Sequence, residues 1–146
     1  MSPFWKSINA LTLVTNDMAC STAFYHKLGL RLTYGGPAAP FSTMSSSTLP
    51  HINAAIHINL FHNSCYKPPP AGQSTGWGRC VFYVSSVDAM YSVAQEAGLC
   101  PQMEPSDAPW GERYFHILDP MGHEISLAQP IEGHPRWQAG LNQFAE

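Results

Sequence analysis

Apolar and polar side chains alternate through residues 8–15, INALTLVT, and this predicts a β-strand. Leu11 and Leu13 fall on one face of it, with Ala10, Thr12 and Val14 on the other. The period then changes. In NDMACSTAFYHKLGL, Asp17 stands where an N-cap belongs, and Cys20, Phe24 and Leu28 recur at helical spacing. Gly29 follows at the left-handed C-cap position. RLTYGG predicts a second strand closed by a turn, and the Pro- and Ser-rich residues 37–50 add one irregular strand around 41–44. Residues 52–63, INAAIHINLFHN, predict a stronger strand, and KPPPAGQSTG has the composition of a linker.

After the linker the pattern begins again. RCVFYVSS predicts a strand and VDAMYSVAQEAGL a helix, with Ser86 as N-cap, Val87, Met90, Ala94 and Ala97 on one face, and Gly98 as C-cap. A shift of 69 positions lays Ala10 on Arg79, Asp17 on Ser86, Gly29 on Gly98 and Leu30 on Leu99 without a gap. ERYFHIL and HEISLA then form two strands around DPMG, a turn in which Pro120 presets φ and Gly122 permits a positive one. The chain therefore reads as one α+β domain over residues 1–146, built from tandem βαβββ repeats. The first unit spans 7–66, the linker 67–76, the second unit 77–130 and a tail 131–146. Each unit is expected to make a small curved mixed sheet with its helix outside, the two inner faces lining a cup.

Composition narrows the function classes. Hydrophobic residues make up 45% and charged residues 12%, a globular balance. The net charge is −3 and the seven Lys and Arg are scattered singly, so no basic stripe exists to hold nucleic acid. The apolar run near the N-terminus is too short for a signal-peptide core or a membrane span. The four cysteines make no C-x-x-C pair, which suits reduced thiols and a cytoplasmic location.

Three stretches, VTNDMACSTAFYHKLGLRL, FYVSSVDAMYSVAQEAGL and above all PWGERYFHILDPMGHEISLA, resemble the vicinal oxygen chelate superfamily. That group contains glyoxalases, bleomycin-resistance proteins, fosfomycin-resistance proteins and extradiol dioxygenases. The resemblance runs from about residue 8 to 130 and leaves the tail outside. It implies the cup-like glyoxalase/bleomycin-resistance fold. In metal-using members it also implies ligands on the first and last strand of each unit. Those positions here hold Ala10, Asn59 (or His57, if the register slips by two), Arg79 and Ser126. A six-coordinate divalent ion wants imidazole and carboxylate ligands, so neither a metal nor another cofactor is expected at these positions. A displaced divalent metal held by His57, His116 and Glu124 is the alternative.

The inner faces point to a small-molecule pocket, apolar with a few polar anchors. His57, Asn59 and Phe61 share one face; so do Arg79, Val81 and Tyr83; so do Tyr114, His116 and Leu118; and so do Glu124 and Ser126. Trp110 either covers the pocket edge or packs in the core. Arg79 either clamps a ligand carboxylate or pairs with Glu124 in place of a metal. His116 is either a general base oriented by Glu124 or a histidine that only tops a strand. Arg113 is expected to tie down its loop, and His123 to sit exposed on the turn. Trp5, Trp77 and Trp110 are available to stack on a flat ligand. The expected function is binding of a small organic molecule in a metal-free cup. The alternative is a glyoxalase- or lyase-type enzyme using a displaced metal or a His116, Glu124 and Arg79 acid–base site. A homodimer is expected, with HPRW of the tail against the partner subunit.

Overall fold

The computed structural model describes residue 4, residues 6–47 and residues 55–138. Trp5, the start of the predicted strand at 52–63 and residues 48–50 lie outside the described residues. The chain divides into two compact units. One runs through Thr75 and takes in the turn Asp119–His123; the other comprises Gly76–Leu118 and the chain from Glu124 onward.

The first unit contains β1 (Leu11–Thr15), α1 (Met18–Lys27), β2 (Arg31–Tyr34), β3 (Phe41–Ser45) and β4 (His57–His62). Its sheet has the order β1-β4-β3-β2, with β1 parallel to β4 and the other pairs antiparallel. Residues 8–10, predicted as strand, precede β1 as irregular chain. The Asp17 carboxylate accepts from the Cys20 N–H at 2.9 Å, and Gly29 has φ +94°, so both predicted caps are present. The buried side of α1 keeps Phe24 and Leu28 but departs from the sequence pattern elsewhere. Cys20 is exposed, and Met18, Ser21, Thr22, Phe24 and Tyr25 are buried. Two hydroxyls hid this face from a reading by hydrophobicity. Ser21 Oγ lies 2.8 Å from Thr15 Oγ1, and Thr22 Oγ1 donates to the Met18 carbonyl at 2.8 Å, so both are buried with partners. Leu13, Met44, Ile58 and Leu60 complete this core, each worth about 1.5–3 kcal/mol of burial.

The Asp119–His123 turn is held by buried polar contacts. Asp119 Oδ1 accepts from the N–H groups of Met121 and His123, each at 2.9 Å, and Oδ2 accepts from the Tyr25 hydroxyl at 2.8 Å. Tyr66 donates to the Met121 carbonyl at 2.9 Å, and its ring stacks on His123. His123, expected to be exposed, is 4% exposed, with Nε2 2.9 Å from the Val14 carbonyl. The expectation considered only the local hairpin, whereas the residues that bury the ring lie far away in sequence. Gly122 has φ +82°, and a Cβ there would lie 2.5 Å from Pro69 Cγ. The Pro-rich stretch thus packs on the turn, and the Thr75 N–H donates to the Gly122 carbonyl at 2.9 Å.

The second unit contains β5 (Arg79–Tyr83), α2 (Val87–Glu96), β6 (Ser106–Asp107), β7 (Glu112–Leu118), β8 (Glu124–Pro130) and α3 (Pro135–Gln138). Its sheet repeats the first in order, β5-β8-β7-β6, with β5 parallel to β8. Ser86 caps α2 through the Ala89 N–H, and Gly98 has φ +76°. Phe115, Ile117, Ile125 and Leu127 pack against the α2 side with Val87 and Ala94, and the Tyr91 ring meets Phe115 edge-on at 5.4 Å. The two-residue strand β6 carries no periodic signal; Arg113 secures it by ion pairs to Asp107 and to Asp88 of α2.

The described part of the tail folds back on its own unit. His134 Nε2 lies 3.0 Å from the Pro109 carbonyl, Arg136 donates to the Trp110 carbonyl at 3.0 Å, and Trp137 donates to the Gly111 carbonyl at 2.8 Å. HPRW therefore packs on the chain's own 109–111 loop, whose turn presents a row of carbonyls to these donors.

Candidate ligand-binding site

Strand alternation and register assemble the site on the face of the second sheet opposite α2. Arg79 pairs with Glu124, Val81 with Ser126, and Tyr83 with Ala128; across β8, Ser126 faces His116 and Ala128 faces Tyr114. A pocket of about 130 Å³ opens here, lined by Arg79, Val81 and Ser126 from β5 and β8, by Glu112, Tyr114 and His116 from β7, and by Trp110. The structure thus brings together most of the second-unit residues singled out in the sequence, and places Trp110 at the pocket, 52% exposed.

One wall is aromatic. Trp110 stacks on Tyr114 with centroids 5.9 Å apart, and Tyr114 meets the His116 ring at 5.0 Å. At one end the Arg79 Nε–H donates to Glu124 Oε2 at 3.1 Å, the side chains being 47% and 13% exposed. At the other end Glu112 accepts from the Tyr83 hydroxyl and, at 3.0 Å, from Trp110 Nε1. Glu112 was not singled out in the sequence, although it lies two positions before Tyr114 and so shares its face. Glu124 bonds to Arg79, and Nδ1 of His116 is buried without a hydrogen-bond partner among the described residues. Burial, and then the positive charge of Arg79, hold the His116 pKa below its ordinary value, against the opposing pull of Glu124. The ring is accordingly neutral near pH 7.

In the first unit, Asn59 sits in a polar row across the strands, accepting from Thr43 Oγ1 at 2.8 Å and donating to Thr12 Oγ1 at 3.3 Å. His57 Nδ1 lies 2.7 Å from Ser45 Oγ, and Phe61 is 41% exposed. A wider hollow of about 390 Å³ lies between the α1 N-terminus, residues 37–40 and His62, but Asp17 there is committed to its cap. Convergent polar groups mark the smaller pocket as the stronger site.

The family-implied metal positions do not fit a divalent ion. Arg79 is a permanent cation, Ala10 offers no donor atom, Ser126 offers only a neutral hydroxyl at 2% exposure, and the Asn59 amide is already bonded on both ends. Among the described residues, no group of three His, Cys, Asp or Glu side chains is placed to hold a metal.

The register, the tandem βαβββ order and this face together define one class of protein. The chain belongs to the glyoxalase/bleomycin resistance protein/dioxygenase superfamily, whose family model matches residues 7–127. It is 30% identical over 129 residues to the uncharacterized protein Rv0887c of Mycobacterium tuberculosis, an alignment covering 82% of this chain and 72% of that protein. In fold it is similar to a glyoxalase/dioxygenase from Nostoc punctiforme (TM-score 0.70, 20% identity, 90% of this chain and 97% of that one). It is also similar to a bleomycin-binding protein complexed with bleomycin (TM-score 0.63, 17% identity, 85% and 98%). Among the described residues, no helix is long and apolar enough to cross a membrane.

Proposed function

We propose that this chain binds a small organic molecule on the second sheet, in the Arg79 pocket, without a metal ion. The observation that carries the reading is the Arg79–Glu124 ion pair. It sets a guanidinium where metal-using members of the superfamily are expected to hold a ligand, beside an aromatic wall suited to a flat molecule. The bleomycin complex of a protein with a similar fold supports small-molecule binding in the family. The free thiols of Cys20, Cys65 and Cys100 suit a reducing cytoplasm, and the exposed Tyr34, Phe41 and Phe61 suit a homodimer.

One observation favours the second reading, a glyoxalase- or lyase-type enzyme. His116 is a neutral histidine in the Arg79 pocket with a buried nitrogen that has no hydrogen-bond partner among the described residues, an arrangement open to acid–base work or to a displaced metal.

Backbone amide NMR with a set of flat neutral, anionic and cationic fragments tests binding. Shift changes at Val81, Tyr114, His116 and Ser126 are expected, and a set that leaves all four unmoved refutes the reading. Loading with Ni, Mn, Zn, Fe or Co, followed by dialysis and mass spectrometry, decides between the two readings. Near-stoichiometric retention transfers the assignment to the enzyme.

A further inference from the structure

The class of ligand follows from which polar groups in the pocket are already committed, an argument that rests on the binding role proposed above. Glu112 accepts from both the Tyr83 hydroxyl and Trp110 Nε1, so its carboxylate is covered by donors. Glu124 is neutralised by Arg79. His116 carries no charge near pH 7, since burial and Arg79 both oppose its protonation. Arg79 and Glu124 balance each other's charge, and what remains open on the pair is the hydrogen-bonding capacity of the Arg79 Nη groups.

Its geometry says where that capacity points. Only Nε reaches Glu124, and neither Nη1 nor Nη2 has a hydrogen-bond partner among the described residues. The side chain is 47% exposed. A guanidinium held through Nε keeps its end-on fork, two parallel N–H groups spaced for the two oxygens of a carboxylate. Glu124, mostly buried, thus acts as the positioning residue that fixes the plane of the fork. Beside it lie the stacked Trp110 and Tyr114 and the half-exposed apolar Val81. The volume, about 130 Å³, is well under the ~300 Å³ of sites for drug-sized molecules and suits a single ring.

We infer that the ligand is a small flat monocarboxylate, its carboxylate bidentate on Nη1 and Nη2 of Arg79 and its unsaturated body against Trp110 and Tyr114. Calorimetry at pH 7 with benzoate and trans-cinnamate as probes, and benzamide and benzylamine as controls, tests this. Each acid is expected to bind about tenfold or more tighter than benzamide. The advantage should be lost in Arg79→Gln and only partly kept in Arg79→Lys, which retains the charge and the contact to Glu124 but not the fork. Thermal melts of both variants check that the fold is intact. Benzamide or benzylamine binding as tightly as benzoate, or Arg79→Gln leaving benzoate affinity unchanged, overturns the carboxylate assignment while leaving a small-molecule pocket standing. Failure of all four probes overturns it as well, and the fragment NMR then decides separately whether the pocket binds anything.

Discussion

Replacing Tyr25 by Phe removes one oxygen atom from a residue 1% exposed and leaves its edge-on contact with Phe24 in place. What is lost is the 2.8 Å hydrogen bond to Asp119 Oδ2, one of three donors that hold a carboxylate only 4% exposed. A bond to a charged acceptor is worth about 1.5–3 kcal/mol, and the two backbone donors on Oδ1 soften the loss, so a cost of about 2 kcal/mol is expected at pH 7.5. For a chain of this length that is a fall in Tm of about 4–8 °C. The pH dependence provides a second check. Burial raises the Asp119 pKa above its ordinary 3.8, and the Tyr25 bond opposes that rise. Removing the bond moves the folded-state pKa further up, so the variant binds its proton at higher pH than the wild type. The destabilisation is therefore greatest where the wild-type carboxylate is ionised. It shrinks to about 1 kcal/mol, the worth of a neutral hydrogen bond, as pH falls through the folded-state pKa values. Urea denaturation followed by circular dichroism, stepped from pH 7.5 to 4, measures both. A cost below about 0.5 kcal/mol at pH 7.5, or one that grows as pH falls, would refute the reasoning.

His116 should titrate below its ordinary value of 6.5 in ring-nitrogen NMR, and Arg79→Gln should move the midpoint upward by removing a positive charge and leaving Glu124. Because the folded pKa is the lower one, this residue's contribution to stability is present above the unfolded value and lost as pH falls below it; a midpoint at or above 6.5 contradicts the described burial. Gly35→Ala would drive a Cβ into the Phe41 carbonyl oxygen at φ +76°. About 3 kcal/mol of destabilisation is expected from the left-handed backbone and the forced shift, read as a fall in Tm of about 6–12 °C. Sedimentation at micromolar concentration should give a dimer, and a monomer would remove the homodimer from the proposed function.

The elements and their order were legible because each depends on local chemistry. Alternation marked β1, β5, β7 and β8, Asp17 and Ser86 marked the helix starts, and Gly29 and Gly98 marked their ends. The same alternation grouped Arg79 with Tyr83, Tyr114 with His116, and Glu124 with Ser126 within their strands, since side chains on a strand have no other choice of side, but which of these faces meet is set by the cross-strand register. Partners were less legible. Arg79 with Glu124 was one of two open readings, and the sequence had Glu124 orienting His116 as another; one carboxylate was in demand from two residues, and only coordinates show that Arg79 takes it. The buried Ser21 and Thr22, the burial of His123 under Tyr66 and the tail's return to the 109–111 loop were likewise decided by tertiary structure. In each case a polar group is buried because its hydrogen-bonding capacity is met by a neighbour elsewhere in the fold. Periodicity determines which way a side chain points, but what it meets there depends on the packing of distant segments.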